Sequence, residues 1–538
     1  MPKRDERLAS FASYTSAHGF ADVLRTGGCW RLIWVVAVLA AWCVCGWQIY
    51  ATVLDFVGFP TATSVKVEQM VNPPFPAVTF CNLNPLRETP LRRDYRGITE
   101  KLDDALAAIK TDMSESMESR ESGPRPNSGG QEAEPQPDFT QTAKGAFWTS
   151  VFDSAVNMSK YGHEIKQMLL DCTYQRYKCD ARDFVQWDSS RYGNCYTFIP
   201  NSTWLPTYFG PDYGLTLMLY AQNTEYLPIL ADSAGFQVQI HAREYLPFPD
   251  DFGFTISPGL LTAVSIREAE VHRKPLPYDD TDCHSMTARG SNLFEIWDKA
   301  FTGSGLVEQM NYTSQECFKR CYSMATNADC DCIDAQVIPW VIAHSFFGPN
   351  VTACARHNAT IATCLDTVQQ AMQKGSKCAD CSQPCYQTTY NTMATGSVWP
   401  RYDYLNSIIQ SWVSRLPAMC EMFQNISDVP FCTNGMGNDN TQQHASLETM
   451  RLISDEVKQS VAKFQVFFEE LNHQIISESA LYTPISLMSN LGGTLGLYSG
   501  LSMLSLLQII ELIWLIACCS RGKKDSRVKQ SAKNDEKY

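Results

Sequence analysis

The sequence has little charge for its length and no excess of positive charge. Of its 538 residues, 19% are charged, and the formal net charge is -13 at pH 7. Binding to nucleic acid is therefore not expected, because neutralising phosphates requires basic patches. HExxH, GxSxG and paired metal-ligand motifs are absent from the sequence. An anchored enzyme is accordingly disfavoured, and we expect no catalytic residue, no resident metal and no cofactor.

Charge is scarcest in two long apolar stretches. The first runs from about Trp30 to Leu54, and in the second, Ile485 to Cys519, Glu511 is the only charged residue. Both exceed the ~20 apolar residues that a helix needs to cross a bilayer. Neither contains a basic repeat, so voltage sensing by a charged helix is not expected. Basic residues outside both stretches place both termini in the cytosol by the positive-inside rule.

The cysteines are concentrated between the two apolar stretches. Sixteen of the 21 lie from Cys81 to Cys432. An even, clustered set indicates a disulfide framework in an oxidising compartment, whereas a cytosolic zinc protein would need repeated CxxC pairs with histidines. The other five are expected to be small packing residues or palmitoylation sites: Cys29, Cys43, Cys45, Cys518 and Cys519.

Glycosylation sequons support an extracellular position for the same region. All six fall inside it, and this confinement is more informative than any single match. They are Asn157, Asn201, Asn311, Asn350, Asn358 and Asn425.

These features divide the chain into five segments. We expect a cytoplasmic N-terminus (1–29), a transmembrane helix (30–54), an extracellular domain (55–484), a second transmembrane helix (485–519) and a cytoplasmic tail (520–538). Within the extracellular domain, residues 214–220, 235–241 and 461–471 are strand-like and residues 358–373 are helical, so an α+β fold is predicted. Residues 112–138, rich in Ser, Glu, Pro and Gly, are predicted to form an exposed flexible loop.

The second apolar stretch is too polar for an anchor that faces only lipid, because unsatisfied polar groups are costly in hydrocarbon. Such residues are tolerated in a helix that lines a pore, the interpretation we favour, or in a face packed against another helix. Its small and polar residues are Gly492, Gly493, Gly496, Gly500, Ser499, Ser502, Ser505, Gln508 and Glu511.

Five separated motifs, taken together, resemble the degenerin/epithelial sodium channel family, which includes acid-sensing and peptide-gated members. They are His18-Gly19, Phe75 to Asn82, Tyr192 to Phe198, the cysteine cluster, and Leu491 to Ser502. The resemblance extends from His18 to Glu511. It implies a plasma-membrane channel, a homo- or heterotrimer around a central pore, with finger, thumb, palm, knuckle and β-ball parts in its extracellular domain.

The resemblance also implies a disulfide pairing, which spacing alone does not determine. The implied pairs are Cys81–Cys195, Cys172–Cys179, Cys283–Cys385, Cys317–Cys381, Cys321–Cys378, Cys330–Cys364 and Cys332–Cys354. The family's ladder has no place for Cys420 and Cys432, so we expect these two to pair with each other. A ladder of this kind stiffens the thumb by restricting the unfolded chain.

Site residues follow from the same resemblance. Gly500, Leu501 and Ser502 match the family's selectivity signature, in which backbone carbonyls and a hydroxyl replace part of an ion's hydration shell. Ser499, Gln508 and Glu511 are expected to line the pore.

Three further residues are expected to control opening. His18 and Gly19 would act at the cytosolic end of the pore, although a helix-end turn is the simpler interpretation of that dipeptide. Ser489 stands at a gating-sensitive position close to where amiloride-type blockers act, and a bulky residue there is expected to hold the pore open.

Departures from the family pattern leave the stimulus undecided. Gln508 replaces a Glu of the acid-sensing branch, Glu511 replaces an Asp, and Gln370 replaces a second acid of the proton-sensing pocket beside Asp366. No histidine lies in residues 58–67. The family's Trp just before the first thumb cysteine is missing here, and the nearest aromatic residue is Tyr278. We expect Tyr278 either to contact residues 58–67 or to be a buried structural residue. Opening is therefore constitutive or protease-tuned, peptide-gated, or proton-modulated.

The resulting hypothesis is a sodium-selective, amiloride-sensitive, voltage-insensitive trimeric channel whose permeant ion is Na+. An ATP-gated type of trimer also has two spans, but would need clustered Lys and Arg for phosphates. A non-conducting surface receptor or adhesion protein would explain the sequons and disulfides but would leave Ser502, Gln508 and Glu511 without a role.

Overall fold

A computed structural model describes most of the chain. The described residues are 16, 18–70, 72–107, 139–201, 204–206, 208–228, 230–278, 283–285, 293–415, 417–423, 426, 429, 432, 447–502, 504, 505, 507, 510, 513 and 514. Outside them lie the predicted loop at 112–138, the C-terminal tail, and the residues Asn425, Gln508, Glu511, Cys518 and Cys519.

The chain divides into two compact units. One consists of the described residues of Met1–Ser64, Lys274–Asp282 and Glu478–Tyr538, and is called the membrane unit because it contains both apolar stretches. The other, Val65–Arg273 with Cys283–Ser477, is called the extracellular unit after its predicted location. The predicted segment boundaries and orientation stay predictions.

The α-helices, numbered in chain order, are α1 (Phe20–Arg25), α2 (Cys29–Val57), α3 (Glu88–Asp94), α4 (Phe139–Asp153), α5 (Met158–Tyr161), α6 (Ile165–Met168), α7 (Pro249–Phe252), α8 (Glu295–Gly303), α9 (Ser314–Cys330), α10 (Trp340–Phe347), α11 (Ala359–Gln373), α12 (Tyr402–Arg415), α13 (Leu447–Ser460) and α14 (Pro484–Ser499). Helical backbone also covers residues 96–107. Short 3-10 turns cover Ala181–Asp183, Pro211–Tyr213, Asn223–Glu225 and Pro417–Phe423.

The strands are β1 (Thr61–Gln69), β2 (Ala77–Asn82), β3 (Leu169–Tyr174), β4 (Tyr177–Lys178), β5 (Phe184–Ser189), β6 (Gly193–Phe198), β7 (Leu215–Tyr220), β8 (Phe236–His241), β9 (Phe254–Ile256), β10 (Leu260–His272), β11 (Tyr386–Val398) and β12 (Val461–Ala480). The predicted strands at 214–220 and 235–241 and the predicted helix at 358–373 are confirmed within a residue. The run predicted at 461–471 is longer, because β12 continues to Ala480.

Two sheets organise the extracellular unit. The larger has the order β11-β10-β12-β7-β3-β4, with β1 on β12; the smaller has the order β5-β6-β2-β8-β9. The β10–β12 pair is parallel. Between the sheets lies a core that includes Phe80 and Val238 from the smaller sheet and Leu217 and Phe464 from the larger, each fully buried. The mixed α+β fold predicted from the sequence is confirmed.

One face of β8 faces this core, as its alternation predicts. Phe236 and Val238 belong to the core, and Ile240 packs against it. On the other face of the smaller sheet, a second core forms against α8 and α10, where Trp187 stacks edge-on to Trp297 at 5.0 Å between ring centres. The smaller sheet is therefore buried on both faces.

The described residues form eight disulfide bonds, and their connectivity is the one given in the sequence analysis. Five join the segment between Cys283 and Cys385, where α9 and α11 lie side by side and carry Cys317, Cys321, Cys330 and Cys364. The bond between Cys420 and Cys432 is the only one of the eight outside the family's ladder. The sequence separations reach 114 residues, so the larger loops restrict the unfolded chain most.

Four described sequon asparagines are exposed. They are Asn157, Asn201, Asn350 and Asn358, whereas Asn311 is half-buried. The side chain of Asn358 also caps α11, accepting a hydrogen bond from the backbone N–H of Thr360 at 2.9 Å. Glycosylation at these positions stays a prediction.

An acidic residue is buried in the larger sheet. Glu268 on β10 is 4% exposed and lies in register between Tyr390 of β11 and His473 of β12. Its Oε2 atom has no hydrogen-bond partner among the described residues. Burial, followed by the charges of Glu270 and Glu244, raises the pKa of Glu268 from 4.5 to about 7.

This pKa shift predicts how stability depends on pH. Between pH 4.5 and 7 the folded protein holds a proton on Glu268 that the unfolded chain has lost, so stability falls as pH rises through this window. Glu268→Gln removes the effect, and we expect the variant to gain on the order of 2–3 kcal/mol over the wild type between pH 5 and pH 8. Thermal unfolding of the purified protein at both pH values measures it. The exposed carboxylate variant Glu295→Gln is the control; equal pH profiles for Glu268→Gln and wild type would contradict the assignment.

Candidate functional site

The membrane unit contains one helix, among the described residues, that is long and apolar enough to cross a membrane. This is α2, with 29 residues from Cys29 to Val57. At 1.5 Å per residue it is about 44 Å long, which exceeds a hydrocarbon core of about 30 Å. The aromatic residues Trp30, Trp47 and Tyr50 are exposed on it, as expected for side chains that face lipid or the interface.

The second apolar stretch is not one continuous helix. Helix α14 begins at a capping box, in which the Thr483 hydroxyl accepts from the Ser486 N–H and the Ser486 hydroxyl accepts from the Thr483 N–H. It ends after 16 residues at Ser499, and residues 500–502 are not helical. The described residues from 504 onward are helical again. The described part of the helix expected at 485–519 is therefore interrupted at residues 500–502, and the second span stays a prediction.

The interruption is caused by Gly500. Its backbone has φ 68° and ψ 12°, a left-handed conformation that ends a helix and that residues with a Cβ rarely adopt. A Cβ on Gly500 would also lie 2.4 Å from the Ser16 carbonyl oxygen and 2.6 Å from the His18 ring. Residues 500–502, which we call the helix break, therefore require glycine at their first position.

The N-terminal turn (Ser16, His18 and Gly19) packs against the helix break. The His18 backbone N–H donates to the Ser499 carbonyl oxygen at 2.9 Å, which satisfies a carbonyl at the end of α14. Gly19 has φ 73°, and a Cβ there would lie 2.6 Å from a Val38 methyl group on α2. The His-Gly dipeptide and the glycine-serine signature, far apart in sequence, are thus in direct contact.

Three hydroxyl groups connect the turn to the residues after the break. The Ser505 hydroxyl lies 2.6 Å from the Ser16 hydroxyl and 3.1 Å from the Ser502 hydroxyl. It also accepts the backbone N–H of Ser502 at 2.9 Å. Ser505 is 2% exposed, whereas Ser502 is exposed. The network therefore holds Ser502 at the surface of the single chain.

The remaining predicted pore residues lie in different surroundings. Ser489 is exposed on α14. Ser499 is 2% exposed, and its hydroxyl donates to the Leu495 carbonyl oxygen at 2.6 Å. Gln508 and Glu511 lie outside the described residues.

Tyr278 contacts the segment that follows the first apolar helix. Its ring meets the Phe59 ring edge-on, with 5.5 Å between the ring centres. Both residues belong to the membrane unit, and Tyr278 is half-buried. Of the two interpretations left open above, the contact is the one observed.

Two residues stand at positions of the proton-sensing pocket of the acid-sensing branch. Asp366 and Gln370 are both exposed on α11. Asp366 interacts electrostatically with Tyr322 and Arg356. Both of these side chains bond to the buried Asp334 rather than to Asp366 or Gln370.

Sequence reasoning missed two residues of this site. Ser16 gave no signal beyond its closeness to His18, and Ser505 was noted only as one of several hydroxyls. A third contact was also missed: the Cys45 thiol on α2 lies 3.9 Å from the Thr494 carbonyl oxygen on α14, where both residues are buried.

The fold and the site define a class of protein: a mixed helix–sheet protein with many disulfides, an apolar helix of membrane-spanning length, and a glycine-broken helix held by an N-terminal turn. The family model described as amiloride-sensitive sodium channel matches residues 11–512. The chain therefore belongs to this family.

Individual relatives are degenerins and epithelial sodium channel subunits. Degenerin-like protein unc-105 of Caenorhabditis elegans is 27% identical over 65% of this chain and 34% of the relative. Epithelial sodium channel subunit alpha of Homo sapiens is 27% identical over 64% of this chain and 44% of the relative. The Xenopus laevis subunit alpha is 23% identical over 94% and 81%. This chain spans less than half the length of unc-105 and of two further Caenorhabditis elegans degenerins that it matches.

The contact between the turn and the break can be tested by cross-linking. We expect the double variant Ser16→Cys/Ser505→Cys to form a disulfide in oxidised membranes, because the two hydroxyl oxygens lie 2.6 Å apart. Mass spectrometry of a proteolytic digest identifies the linked peptides. Ser16→Cys/Leu507→Cys is the control, since Leu507 is exposed. Linkage in the control but not in Ser16→Cys/Ser505→Cys would contradict the arrangement.

Proposed function

We propose that this chain is the subunit of a sodium-selective, amiloride-sensitive, voltage-insensitive cation channel of the plasma membrane, in which three copies, or copies with related subunits, surround one pore. The observation that carries the proposal is the contact of the N-terminal turn with the helix break through the His18 N–H and the Ser499 carbonyl. Neither a packing face nor a simple anchor requires this contact.

The proposed mechanism uses the oxygen atoms at the helix break. A helix end exposes carbonyl groups that lack an intrahelical donor. With the Ser502 hydroxyl, held by Ser505, such carbonyls would replace part of the hydration shell of a cation. A narrow ring of this kind favours Na+, and Gly500 lets neighbouring backbones approach closely.

The N-terminal turn is proposed to act as a gate element. Ser16 and His18 of the turn occupy the space beside Gly500, and the Ser16 hydroxyl forms a hydrogen bond with the Ser505 hydroxyl. Movement of the turn would remove the support of Ser502 and change the shape of the break. Opening is proposed to be set by the extracellular domain, constitutively with protease tuning, by a peptide or by protons.

Ion selectivity is the direct test. The stimulus is unknown, so we use Ser489→Phe, whose bulky side chain is expected to hold the pore open. Whole-cell recordings should show a current that is larger in Na+ than in K+, is reduced by amiloride and has no voltage-dependent activation. A pH step on the wild type tests proton modulation in the same preparation.

Ser489→Ala is the matched control, because it keeps the position small and should give no added current. Equal Na+ and K+ permeability would refute the filter assignment. A silent membrane with surface-labelled protein for both Ser489→Phe and the wild type would favour the non-conducting receptor.

A second test addresses the turn. Gly19→Ala places a Cβ at φ 73° and 2.6 Å from Val38. A strain of about 1–2 kcal/mol corresponds to a change of about 5- to 30-fold in a gating equilibrium. We expect single-channel open probability to fall by about this factor with unchanged surface expression. Gly27→Ala, where a Cβ meets nothing within 4 Å, is the control. If Gly19→Ala gates as the wild type does, His18 and Gly19 form only a helix-end turn and have no role in gating.

A further inference from the structure

The larger sheet ends in a long strand whose outer side is open. Over its 13 residues β11 pairs with β10, and it pairs with no other strand among those described. Residues 391–398 are all exposed, including Met393 at 63% and Val398 at 76%. A strand in this position presents a row of backbone donors and acceptors that pairing within the sheet does not use.

The register shows which backbone groups of β11 point outward. At its two ends, the Arg273 N–H donates to the Cys385 carbonyl, and the Trp399 N–H donates to the Gly259 carbonyl. In an antiparallel pair, hydrogen-bonded residues alternate with residues whose N–H and C=O groups point away from the partner strand. The odd-numbered residues of β11 therefore bond to β10, and the even-numbered ones point outward. In the exposed part these are Thr392, Ala394, Gly396 and Val398.

At the half-buried end of β11 an outward group already has a partner, which agrees with this assignment. The carbonyl of the even-numbered Tyr386 accepts the Tyr245 hydroxyl at 3.4 Å. In the exposed part, no described residue bonds to the outward groups of residues 392–398. These groups are therefore available to a second chain.

The sequence of β11 lacks the features by which exposed strands avoid pairing. From Tyr386 to Val398 there is no Lys, Arg, Asp, Glu or Pro, and four of the 13 residues are threonine, which favours extended backbone. The other described edges are protected. β4 has two residues and β9 three, β1 carries Lys66 and Glu68, and the half-buried β5 carries Asp188.

The geometry of the edge defines its occupant as an extended polypeptide. Outward groups recur at every second residue, about 6.8 Å apart, and another extended backbone offers donors and acceptors with the same repeat. The occupant should be uncharged, because a charge beside this neutral edge would lose water without gaining a counter-ion. Large apolar side chains fit beside Ala394 and Gly396, since a Cβ on Gly396 would meet nothing within 4 Å.

A second copy of this chain is a poor occupant. Antiparallel pairing of β11 with the same strand of another copy needs a twofold axis, which the proposed ring of three copies lacks. Pairing with a different edge needs a second long, uncharged one, and the described edges offer none. The observations therefore favour a separate peptide.

We propose that β11 binds an extended, uncharged peptide, which adds as an antiparallel strand along Thr392 to Val398 and places apolar side chains beside Ala394 and Gly396. In strand addition, main-chain hydrogen bonds supply affinity and alternate side chains supply selectivity. The proposed pore does not require this site, and the two proposals can fail separately.

The test measures binding rather than current. The whole chain in detergent is titrated with a capped, fluorescent heptapeptide of alternating threonine and valine, and binding is followed by anisotropy. The same peptide with every amide N-methylated, and a peptide with lysine in place of valine, serve as matched probes. We expect the first peptide to bind with affinity at least about tenfold above either analogue. Hydrogen exchange followed by mass spectrometry should slow in residues 391–398 when it binds.

Ala394→Pro removes one outward N–H without removing a hydrogen bond to β10. We expect it to lower the affinity for the threonine-valine peptide about tenfold or more. Ala394→Ser keeps the N–H and is the matched control, with wild-type affinity. Thermal unfolding of both variants checks that the fold is kept.

Gly396→Lys is a second variant in case the proline disturbs the strand. A Cβ at this position meets nothing within 4 Å, so we expect the variant to fold. Its ammonium group would lie beside the apolar side chains of the peptide and should weaken binding about tenfold. Gly396→Ala is the matched control and should bind the peptide as the wild type does.

Several results would overturn the proposal. They are no binding of the threonine-valine peptide, equal binding of either analogue, wild-type affinity in Gly396→Lys, or exchange that slows elsewhere but not in residues 391–398. Light scattering covers the alternative occupant. If the wild type without peptide forms a larger oligomer than Gly396→Lys does, the edge pairs with a second copy and the peptide assignment is wrong.

Discussion

The backbone around Gly500 leaves no room for a side chain, and the rest of the membrane unit is arranged around that constraint. Because the residue is left-handed, α14 ends at Ser499 and the chain turns before helical structure resumes. Because the residue has no Cβ, the main chain at Ser16 and the ring of His18 occupy the adjacent space. The absence of a side chain at Gly500 thus permits both the helix break and its contact with the N-terminal turn.

The extracellular unit buries two sheets, and both sheets also contain buried polar side chains. Its shared core is apolar, whereas the larger sheet carries Glu268 and the smaller carries Gln239, each with a buried oxygen that has no partner among the described residues. Disulfides around α9 and α11 stiffen the neighbouring segment. Such unpaired groups cost stability.

Local patterns predicted most of the fold, and contacts between distant residues account for what they missed. Alternation located β8 because one of its faces meets an apolar core, and the length of the first apolar run located α2. The same patterns did not extend β12 beyond Leu471, since the alternation is interrupted by the polar residues 472–474. Pairing with β10 holds the chain as a strand as far as Ser477. The helix break was not predicted because Gly500 is one of four glycines in this stretch, and local sequence does not show which of them ends the helix. Its signature was recognised only by resemblance, and neither the contact with Ser16 nor the unpaired Gln239 leaves a mark in local sequence.

The geometry of the break also bears on how many copies of the chain a pore would need. A cation that sheds water must gain oxygen atoms on several sides, but one copy presents the exposed Ser502 from one direction only. Its own N-terminal turn already occupies the space beside Gly500, so the same chain cannot fold back to complete a ring. In the proposed pore, the missing oxygen atoms would come from the same break in other subunits, related by a rotation axis along the pore. This geometry is a physical reason to propose an oligomer.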